Sequence, residues 1–408
     1  MSRFRTLLSA ACGACVVMVV AACSSAPTTG SGLKPIDPAE LRAVVEAAAK
    51  KLMVPGAMVV LRTPQGDFDA AVGTTQLGAR TPPTPTTHFR IASNTKTMTA
   101  ALIMLLEQDG RLALSDPIAK FVPGVPNGEN ITLAGLLTMR SGLYGYTADP
   151  ALSSAMDADP GMVWTPQEVL AIAFRHPPEF APGTAYDYSN TNYALLGLVA
   201  ESAGRRPLNR QLQDRLFSPL GLADTELPAA DDISIPAPYS HGYMYGASVY
   251  ALADDTYPAA LQAAARAGTL RPTDYTNQNS SYATAAGGAI STADNMASWI
   301  RDLVSGKVFN ADQQRAWLSS LQPEDPANAD GQQYGYGISY QRFGPDAAMY
   351  YHGGELPGFN SFMGYDPDNE VALAIWTNLT LSPEGKTTAN AMLPALLDEI
   401  YAGLSLAS

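Results

Sequence analysis

The chain has 408 residues, of which 46% are hydrophobic and 15% are charged, and its formal net charge is -13. This composition is that of a globular protein with a sizeable core, organised as one large domain or as two or three smaller ones. Because the balance is acidic and no basic stripe is visible, nucleic acid is excluded as an expected partner.

The first 22 residues have the features of an export signal, with two arginines before an apolar stretch rich in small residues. The stretch ends in VAAC at Cys23, which resembles the lipobox of bacterial lipoproteins; the alternative is a plain secretory signal that ends near a cysteine. The resemblance implies an exported protein, lipid-anchored through Cys23 to the outer face of the bacterial cell membrane, with residues 23–37 as a flexible tether. The other cysteines, Cys12 and Cys15, lie within the signal, so the mature chain forms no internal disulfide.

The folded part is predicted to begin with a helix over 38–52, capped by Asp37 and apolar along one face. A hairpin is predicted over 57–72, where AMVVL and FDAAV flank the turn sequence RTPQGD. After a Pro/Thr-rich loop, a long apolar helix is predicted from about Ser93 to a stop at Gly110.

The region 123–283 contains helical pieces separated by long loops, including the helical run YPAALQAAARAG. Most of 231–283 lacks clear periodicity and is interpreted as a loop or insertion. The C-terminal part has strand-like runs separated by Pro and Gly turns, then a final helix over about 384–401. These elements predict an α/β fold of the α+β type, with an antiparallel sheet built from both chain ends and flanked by helices (38–122 and 284–408), and a mainly helical inserted domain (123–283).

The first candidate for chemistry is SNTK, in which Ser93 and Lys96 lie three residues apart and share one helix face. A lysine whose pKa is lowered by desolvation can take the proton of a serine hydroxyl and make it a nucleophile. The free N–H groups of a helix start can also stabilise an oxyanion. The same spacing recurs at Ser31 and Lys34 in the tether, so the pattern alone does not identify a site.

The second candidate is Tyr188 with Asn190, a Y-x-N pattern just before an apolar helix. A phenol beside a protonated lysine should have a lowered pKa, so it can pass a proton between the serine and a leaving group. The asparagine can hold Lys96 in position. The alternative is a core tyrosine at a helix start, and a second Y-x-N at 275–277 lacks a following helix.

The third candidate is His352 with Gly353 and Gly354, at the end of a predicted strand. The glycines allow close approach of a ligand to the backbone, and the histidine can donate a hydrogen bond or hold charge beside a reacting group. The alternative is a histidine at a strand end with a bulge. The four histidines of the chain are scattered without ligand spacing, so neither a metal nor another cofactor is expected.

Taken in order, S-x-x-K, Y-x-N and H-x-G resemble the serine β-lactamase-like superfamily, as do FRIASNTKTMTAALIMLLEQDG and FAPGTAYDYSNTNYALLGLVAE around them. This group holds class C β-lactamases, serine D-alanyl-D-alanine carboxypeptidases and family VIII esterases, and the resemblance covers about residues 38–402. It implies acylation of Ser93, proton transfer by Lys96 and Tyr188, and an oxyanion hole formed by the backbone N–H groups of Ser93 and Glu355.

The sequence departs from the family pattern at the strand that holds the substrate. His352 lies where many relatives have the lysine of K-T-G, and Gly353 and Glu355 replace residues that tend to hold a substrate carboxylate. A glutamate facing the pocket would repel an anionic substrate. We therefore expect a cell-surface esterase or carboxypeptidase-like hydrolase that acts on a neutral small-molecule ester or amide, or on cell-envelope peptide. A D,D-peptidase or weak β-lactamase, and a non-catalytic scaffold lipoprotein, remain as alternatives.

Overall fold

The computed structural model describes residues 32–253 and 255–404. The predicted signal, Cys23 and most of the predicted tether therefore lie outside the described residues. The helices and strands of the described part are, in chain order, α1 (Pro38–Leu52), β1 (Gly56–Thr63), β2 (Gly66–Gly73), β3 (Phe89–Arg90), α2 (Thr95–Gln108), α3 (Leu133–Leu137), α4 (Pro150–Ala158), α5 (Pro166–Ala173), α6 (Asn190–Gly204), α7 (Leu208–Leu212), β4 (Tyr243–Met244), α8 (Val249–Leu252), α9 (Ala259–Arg266), β5 (Thr273–Asp274), α10 (Thr284–Gly287), β6 (Ile290–Ser291), α11 (Ala293–Val304), α12 (Ala311–Leu318), β7 (Gln322–Pro323), β8 (Gln333–Tyr334), β9 (Ser339–Gly344), β10 (Ala347–Leu356), β11 (Phe359–Asp366), β12 (Val371–Thr377) and α13 (Thr388–Ile400).

The main sheet joins the two ends of the chain. Its strand order is β2-β1-β12-β11-β10-β9-β8-β7, with every neighbouring pair antiparallel. The first hairpin thus lies beside the last strand, with Val59 opposite Ile375. This confirms the predicted antiparallel sheet built from both ends. All eight strands lie within 38–122 and 284–408, while the domain boundaries themselves stay a prediction.

Both faces of the sheet are buried, which explains the nearly continuous apolar run of β1. Val59 and Leu61 point to one face, where they pack in a cluster with residues of α1 and α13. Met58 and Val60 point to the other face and join the larger core that contains α2, α6 and α11. The alternation of side chains along a strand therefore divides the core into two layers.

The structure differs from the predicted elements in three places. A 3-10 turn, Ala92–Asn94, precedes α2, so the predicted helix starts two residues later than Ser93. The final helix begins at Thr388 because residues 381–387 close a turn, in which Gly385 has a φ of 74°. Within 231–283, α8 and the strand pair β4–β5 were not predicted, since strands of two residues leave no periodic pattern.

In the described part of the chain, each helix is too short or too polar to cross a lipid bilayer.

Candidate active site

The turn before α2 presents Ser93 to a cavity. Ala92 has a φ of 50°, in the left-handed region that costs a non-glycine residue roughly 1–3 kcal/mol. Its carbonyl accepts a hydrogen bond from Thr95 Oγ1 at 2.7 Å. Ala92 and Asn94 are buried, while Ser93 between them is partly exposed. The strained turn therefore directs the serine out of the core.

Gly354 allows strand β10 to lie directly against this turn. A Cβ at this position would be 2.2 Å from Ile91 O and 2.7 Å from Asn94 Nδ2, so any larger residue would push the strand away. Asn94 Nδ2 also donates to Ser361 Oγ on β11 at 2.9 Å. The glycine of H-x-G is thus required by the close packing of backbone against backbone.

Lys96 is fully buried, and burial lowers the pKa of its amine well below the ordinary value. Its Nζ donates to Asn190 Oδ1 at 2.6 Å and to the carbonyl of Ala286 at 2.7 Å, and lies 2.9 Å from Ser93 Oγ. The first two partners can only accept hydrogen bonds, so they use both N–H groups of the neutral amine. The lone pair is then directed at the serine hydroxyl, as a general base requires.

The Y-x-N pattern brings Tyr188 and Asn190 to the same amine. Asn190 begins α6, and its Nδ2 donates to Thr147 Oγ1 at 3.2 Å, which leaves Oδ1 turned to Lys96. The Tyr188 ring centroid lies 4.9 Å from Lys96 Nζ, and 40% of the residue is exposed. The tyrosine therefore stands between the buried lysine and the open cavity.

His352 lies inside β10, where the sequence predicted a strand end. Burial, and after it the Lys96 amine when it is protonated, lower its pKa to about 3. Nδ1 donates to the carbonyl of Gly353 at 2.6 Å, so Nε2 is the acceptor for the hydroxyl of Tyr334 at 3.2 Å. The ring is therefore neutral rather than charged, and its hydrogen-bond donor is directed at the backbone of its own strand.

Tyr334 is a member of this site that the sequence did not reveal. Its ring lies edge-on to that of Tyr188, with centroids 6.1 Å apart, and also edge-on to that of His352. It belongs to a strand of two residues and follows no motif, so no local signal distinguished it from other tyrosines.

The second half of β10 has an open edge toward the cavity. Strand β9 pairs with β10 only as far as Tyr351. On the other side, Leu356 and Phe359 form the hydrogen-bonded pair that closes a two-residue hairpin with β11. Hydrogen-bonded and non-hydrogen-bonded pairs alternate along an antiparallel ladder. Gly353 and Glu355 are therefore in non-hydrogen-bonded pairs with β11 and direct their N–H groups to the open edge. This orientation is the one that the predicted oxyanion role of Glu355 requires.

A cavity of about 620 Å³ lies in front of Ser93, and the buried Lys96 is not part of its lining. The residues predicted from the sequence that line it are Ser93, Tyr188, Asn190, His352, Gly353, Gly354 and Glu355. The carboxylates in its wall are Glu179, Asp187, Glu324 and Glu355. Its described lining includes no lysine or arginine, so the charged residues of the cavity that Ser93 enters are all acidic. The catalytic roles of these residues stay predictions.

The pair Glu179 and Asp187 adds to this acidic character. The pKa of Glu179 is raised, by burial first and then by a hydrogen bond and charge repulsion from Asp187. Glu324 accepts a hydrogen bond from Gln332 Nε2 at 2.7 Å. Across the described residues, no group of histidine, cysteine, aspartate and glutamate side chains has an arrangement suited to a metal ion.

The family model described as Beta-lactamase matches residues 41–397. An Escherichia coli protein provisionally named a D-alanyl-D-alanine carboxypeptidase is 34% identical over 145 residues, which cover 34% of this chain and 33% of that protein. Protein flp of Staphylococcus aureus is 28% identical over 193 residues, 46% of this chain and 37% of that protein. The matched part therefore spans about a third of the length of these relatives.

Two solved structures resemble the chain over nearly their whole length. The D-stereospecific amidohydrolase from Streptomyces sp. has 27% identity and a TM-score of 0.74, covering 88% of this chain and 98% of that one. The D-amino acid amidase from Ochrobactrum anthropi SV3, complexed with D-phenylalanine, has 26% identity and a TM-score of 0.75, covering 89% and 99%. Since the family model matches most of the chain, the protein belongs to the Beta-lactamase family, and these likenesses support a serine hydrolase.

Proposed function

We propose that the protein hydrolyses esters or amides through an acyl-enzyme formed on Ser93. The observation that carries this proposal is the position of Lys96 Nζ, 2.9 Å from Ser93 Oγ, with its other two contacts made to obligate acceptors. Because burial lowers the pKa of Lys96, its amine stays neutral down to a lower pH than the amine of an exposed lysine does. A neutral amine held in this way is a base aimed at the nucleophile.

In acylation, Ser93 Oγ attacks the substrate carbonyl carbon and its proton passes to Lys96. The negative oxygen that forms is held by the N–H groups of Ser93 and Glu355, and loss of one such donor should cost about 2.7–4 kcal/mol of barrier. Tyr188, beside Lys96, carries the proton on to the leaving group as the bond to it breaks. In the second half, water attacks the acyl-enzyme with the same groups acting in reverse.

We further propose that the substrate is an ester or amide without a free carboxylate. His352 is neutral, and the four charged residues in the described lining of the cavity are carboxylates. This lining therefore presents no fixed cation that would hold an anionic substrate. The neighbours named as D-stereospecific amidohydrolase and D-amino acid amidase support an amide as readily as an ester. The proposal thus favours the esterase of the sequence-based expectation, or an amidase, acting on a small molecule. The carboxypeptidase-like alternative, acting on cell-envelope peptide, would need the site to accept a free C-terminal carboxylate.

A substrate panel with Ser93→Ala as the blank tests this proposal. We expect hydrolysis of a short p-nitrophenyl ester or an amino-acid amide, and covalent labelling of Ser93 by a fluorophosphonate. Efficient turnover of a chromogenic cephalosporin without esterase or amidase activity would refute the substrate class. Failure of the fluorophosphonate to label Ser93 would favour a non-catalytic scaffold instead.

The second candidate is a D,D-peptidase or weak β-lactamase with the same acyl-enzyme. Its support is the Escherichia coli relative, which is provisionally named a D-alanyl-D-alanine carboxypeptidase. Labelling by a fluorescent penicillin that disappears in Ser93→Ala would favour this function over an esterase.

We also propose that the protein is lipid-anchored at the outer face of the bacterial cell membrane through Cys23. The support is the VAAC sequence at the end of an apolar segment. Phase partitioning of the expressed full chain tests it. The wild type should enter the detergent phase and Cys23→Ser should not, and equal partitioning of the two would refute the anchor.

A further inference from the structure

Three threonines alternate with other residues at the start of α2. Thr95, Thr97 and Thr99 are all buried, although threonine has a lower helix propensity than alanine and a buried hydroxyl is costly unless it is hydrogen-bonded. Residues four positions apart share a helix face, so Thr95 and Thr99 point to one side of α2 and Thr97 points to another. The hydroxyls of the threonine pair, Thr95 and Thr99, therefore serve a different neighbour from that of Thr97.

The neighbour of the threonine pair is the segment 284–289, which contains α10. Thr99 Oγ1 donates to the carbonyl of Ala285 at 2.8 Å. Thr95 Oγ1 accepts from the backbone N–H of Ala289 at 3.1 Å. The segment is thus bonded to α2 near both of its ends.

This segment also provides an acceptor for the proposed base. The carbonyl of Ala286, between the two bonded points, accepts from Lys96 Nζ at 2.7 Å. The lone pair of a neutral amine is directed at Ser93 only while this carbonyl keeps its place. The helix α10 is too short to keep it there alone, since it has four residues, and Thr284 has a strained φ of 33°.

Thr95 is bonded to the serine turn (92–94) as well. The Oγ1 that accepts from Ala289 also donates to the carbonyl of Ala92 at 2.7 Å. The backbone N–H of Ile91 donates to the carbonyl of Ala289 at 3.1 Å, beside this contact. One hydroxyl therefore connects the turn that presents the nucleophile with the segment that orients the lysine.

We propose that Thr95 and Thr99 are positioning residues for the proposed base. They hold the carbonyl of Ala286 and the serine turn in the geometry that lets Lys96 activate Ser93. This inference rests on the proposed acyl-enzyme at Ser93. Because neither hydroxyl touches the reacting atoms, loss of the threonine pair should slow the chemical step and leave substrate binding little changed.

Thr95→Val tests the inference, because valine has nearly the shape of threonine but lacks the hydroxyl. The matched control is Thr97→Val. Thr97 Oγ1 likewise donates to a carbonyl three residues earlier, that of Asn94 at 2.8 Å, and accepts from Trp299 Nε1 at 2.8 Å. Each variant thus removes two buried hydrogen bonds from the same helix, but neither partner of Thr97 belongs to the segment 284–289.

The readouts are the rate of Ser93 labelling by a fluorophosphonate, normalised to the folded fraction, and kcat and KM for a short p-nitrophenyl ester. Thr95→Val should lower the labelling rate and kcat by about 10- to 100-fold, the effect of a small displacement within an active site, with KM changed by less than about 3-fold. Thr97→Val should lower the urea midpoint to a similar extent but change the labelling rate by less than about 3-fold. Thr95→Ser keeps the hydroxyl and should restore most of the rate.

Equal labelling rates in Thr95→Val and Thr97→Val would overturn the inference, as would a loss that Thr95→Ser does not relieve. If Thr95→Val does not fold, Thr99→Val replaces it, since it leaves a carbonyl without its partner rather than an N–H group, which is tolerated better. Its labelling rate should fall by about 3- to 10-fold, and an unchanged rate would overturn the inference. These outcomes leave the proposed hydrolase intact, whereas a wild type that is not labelled at Ser93 would overturn the proposed function and the inference with it.

Discussion

The two walls of the cavity differ in how closely they follow the family pattern. On the helical wall, Ser93, Lys96 and Asn190 are joined by hydrogen bonds of 2.6–2.9 Å. On the strand wall, a neutral histidine and a glutamate lie where many relatives have a lysine and hydroxyl-bearing residues. The wall that contains the proposed nucleophile thus follows the family pattern, and the opposite wall does not. In the proposed mechanism, chemistry and substrate specificity would then be carried by separate elements.

The largest expected effect is on the helical wall. Lys96→Arg should lower kcat/KM for a short ester by about 10³-fold or more, because a guanidinium does not lose its proton and cannot act as base. The control is Lys120→Arg, an exposed lysine paired with Asp116, which should leave kcat/KM unchanged.

If Lys96→Arg does not fold, Lys96→Met provides an apolar replacement of similar shape that should show the same loss. The wild-type pH profile gives an independent check. Burial lowers the pKa of Lys96, so the neutral base should persist, and activity with it, well below pH 10.5. Activity that disappears as soon as the pH drops below 10 would contradict this role.

The contact between the two walls can be broken at Gly354. Gly354→Ala should cost about 10²-fold in kcat/KM, since its Cβ would lie 2.2 Å from Ile91 O and displace the oxyanion edge from the serine. The matched control is the neighbouring Gly353→Ala, whose Cβ would have nothing nearer than 3.5 Å. Equal losses in the two variants would show that close packing is not the cause.

A smaller effect is expected where Asn190 holds the lysine. Asn190→Ala removes one acceptor of Lys96 Nζ, so the lone pair is no longer fixed on Ser93. We expect kcat to fall by about 10- to 100-fold, with KM little changed, measured on the same ester. Asn130→Ala, at an exposed loop position, is the control. A change confined to KM would argue for a role in binding.

The smallest effect concerns stability at the strand wall. The pKa of His352 is lowered to about 3 by burial, so the unfolded chain binds a proton that the folded chain does not. The stability that depends on a neutral histidine is then lost as the pH falls below about 6.5. Between pH 7 and 5, wild type should lose about 2 kcal/mol more unfolding free energy than His352→Gln. Urea midpoints measure this difference, and equal losses would show that His352 titrates normally in the folded protein.

Short sequence patterns identified the residues that meet on the helical wall, while their catalytic roles stay predictions. Ser93 and Lys96 lie three residues apart along the chain. Asn190 begins α6, a helix that the apolar residues after Asn190 predicted. The sheet could be derived too, because apolar runs and turn residues define its long strands. These parts depend on local patterns that remain visible without the fold.

The remaining features depend on contacts between distant segments. Ala92 adopts a left-handed backbone conformation where its turn packs against β10, and the conformational preferences of alanine do not predict a positive φ there. The neutrality of His352 follows from complete burial and from a tyrosine in a two-residue strand. The orientation of Glu355 follows from where β9 stops pairing with β10. Such features are decided by tertiary structure, which overrides local preference.

The hydrogen bond between Asn94 and Ser361 joins residues 267 positions apart. The serine turn is therefore fastened by a strand near the C-terminus, and the sheet closes only when β12 pairs with β1. A chain still emerging from the ribosome has the S-x-x-K sequence but lacks the partner that sets its geometry. Contacts of such long range form late in folding. The geometry around Ser93 therefore requires that β11 and β12 have been synthesised and have paired with the first hairpin.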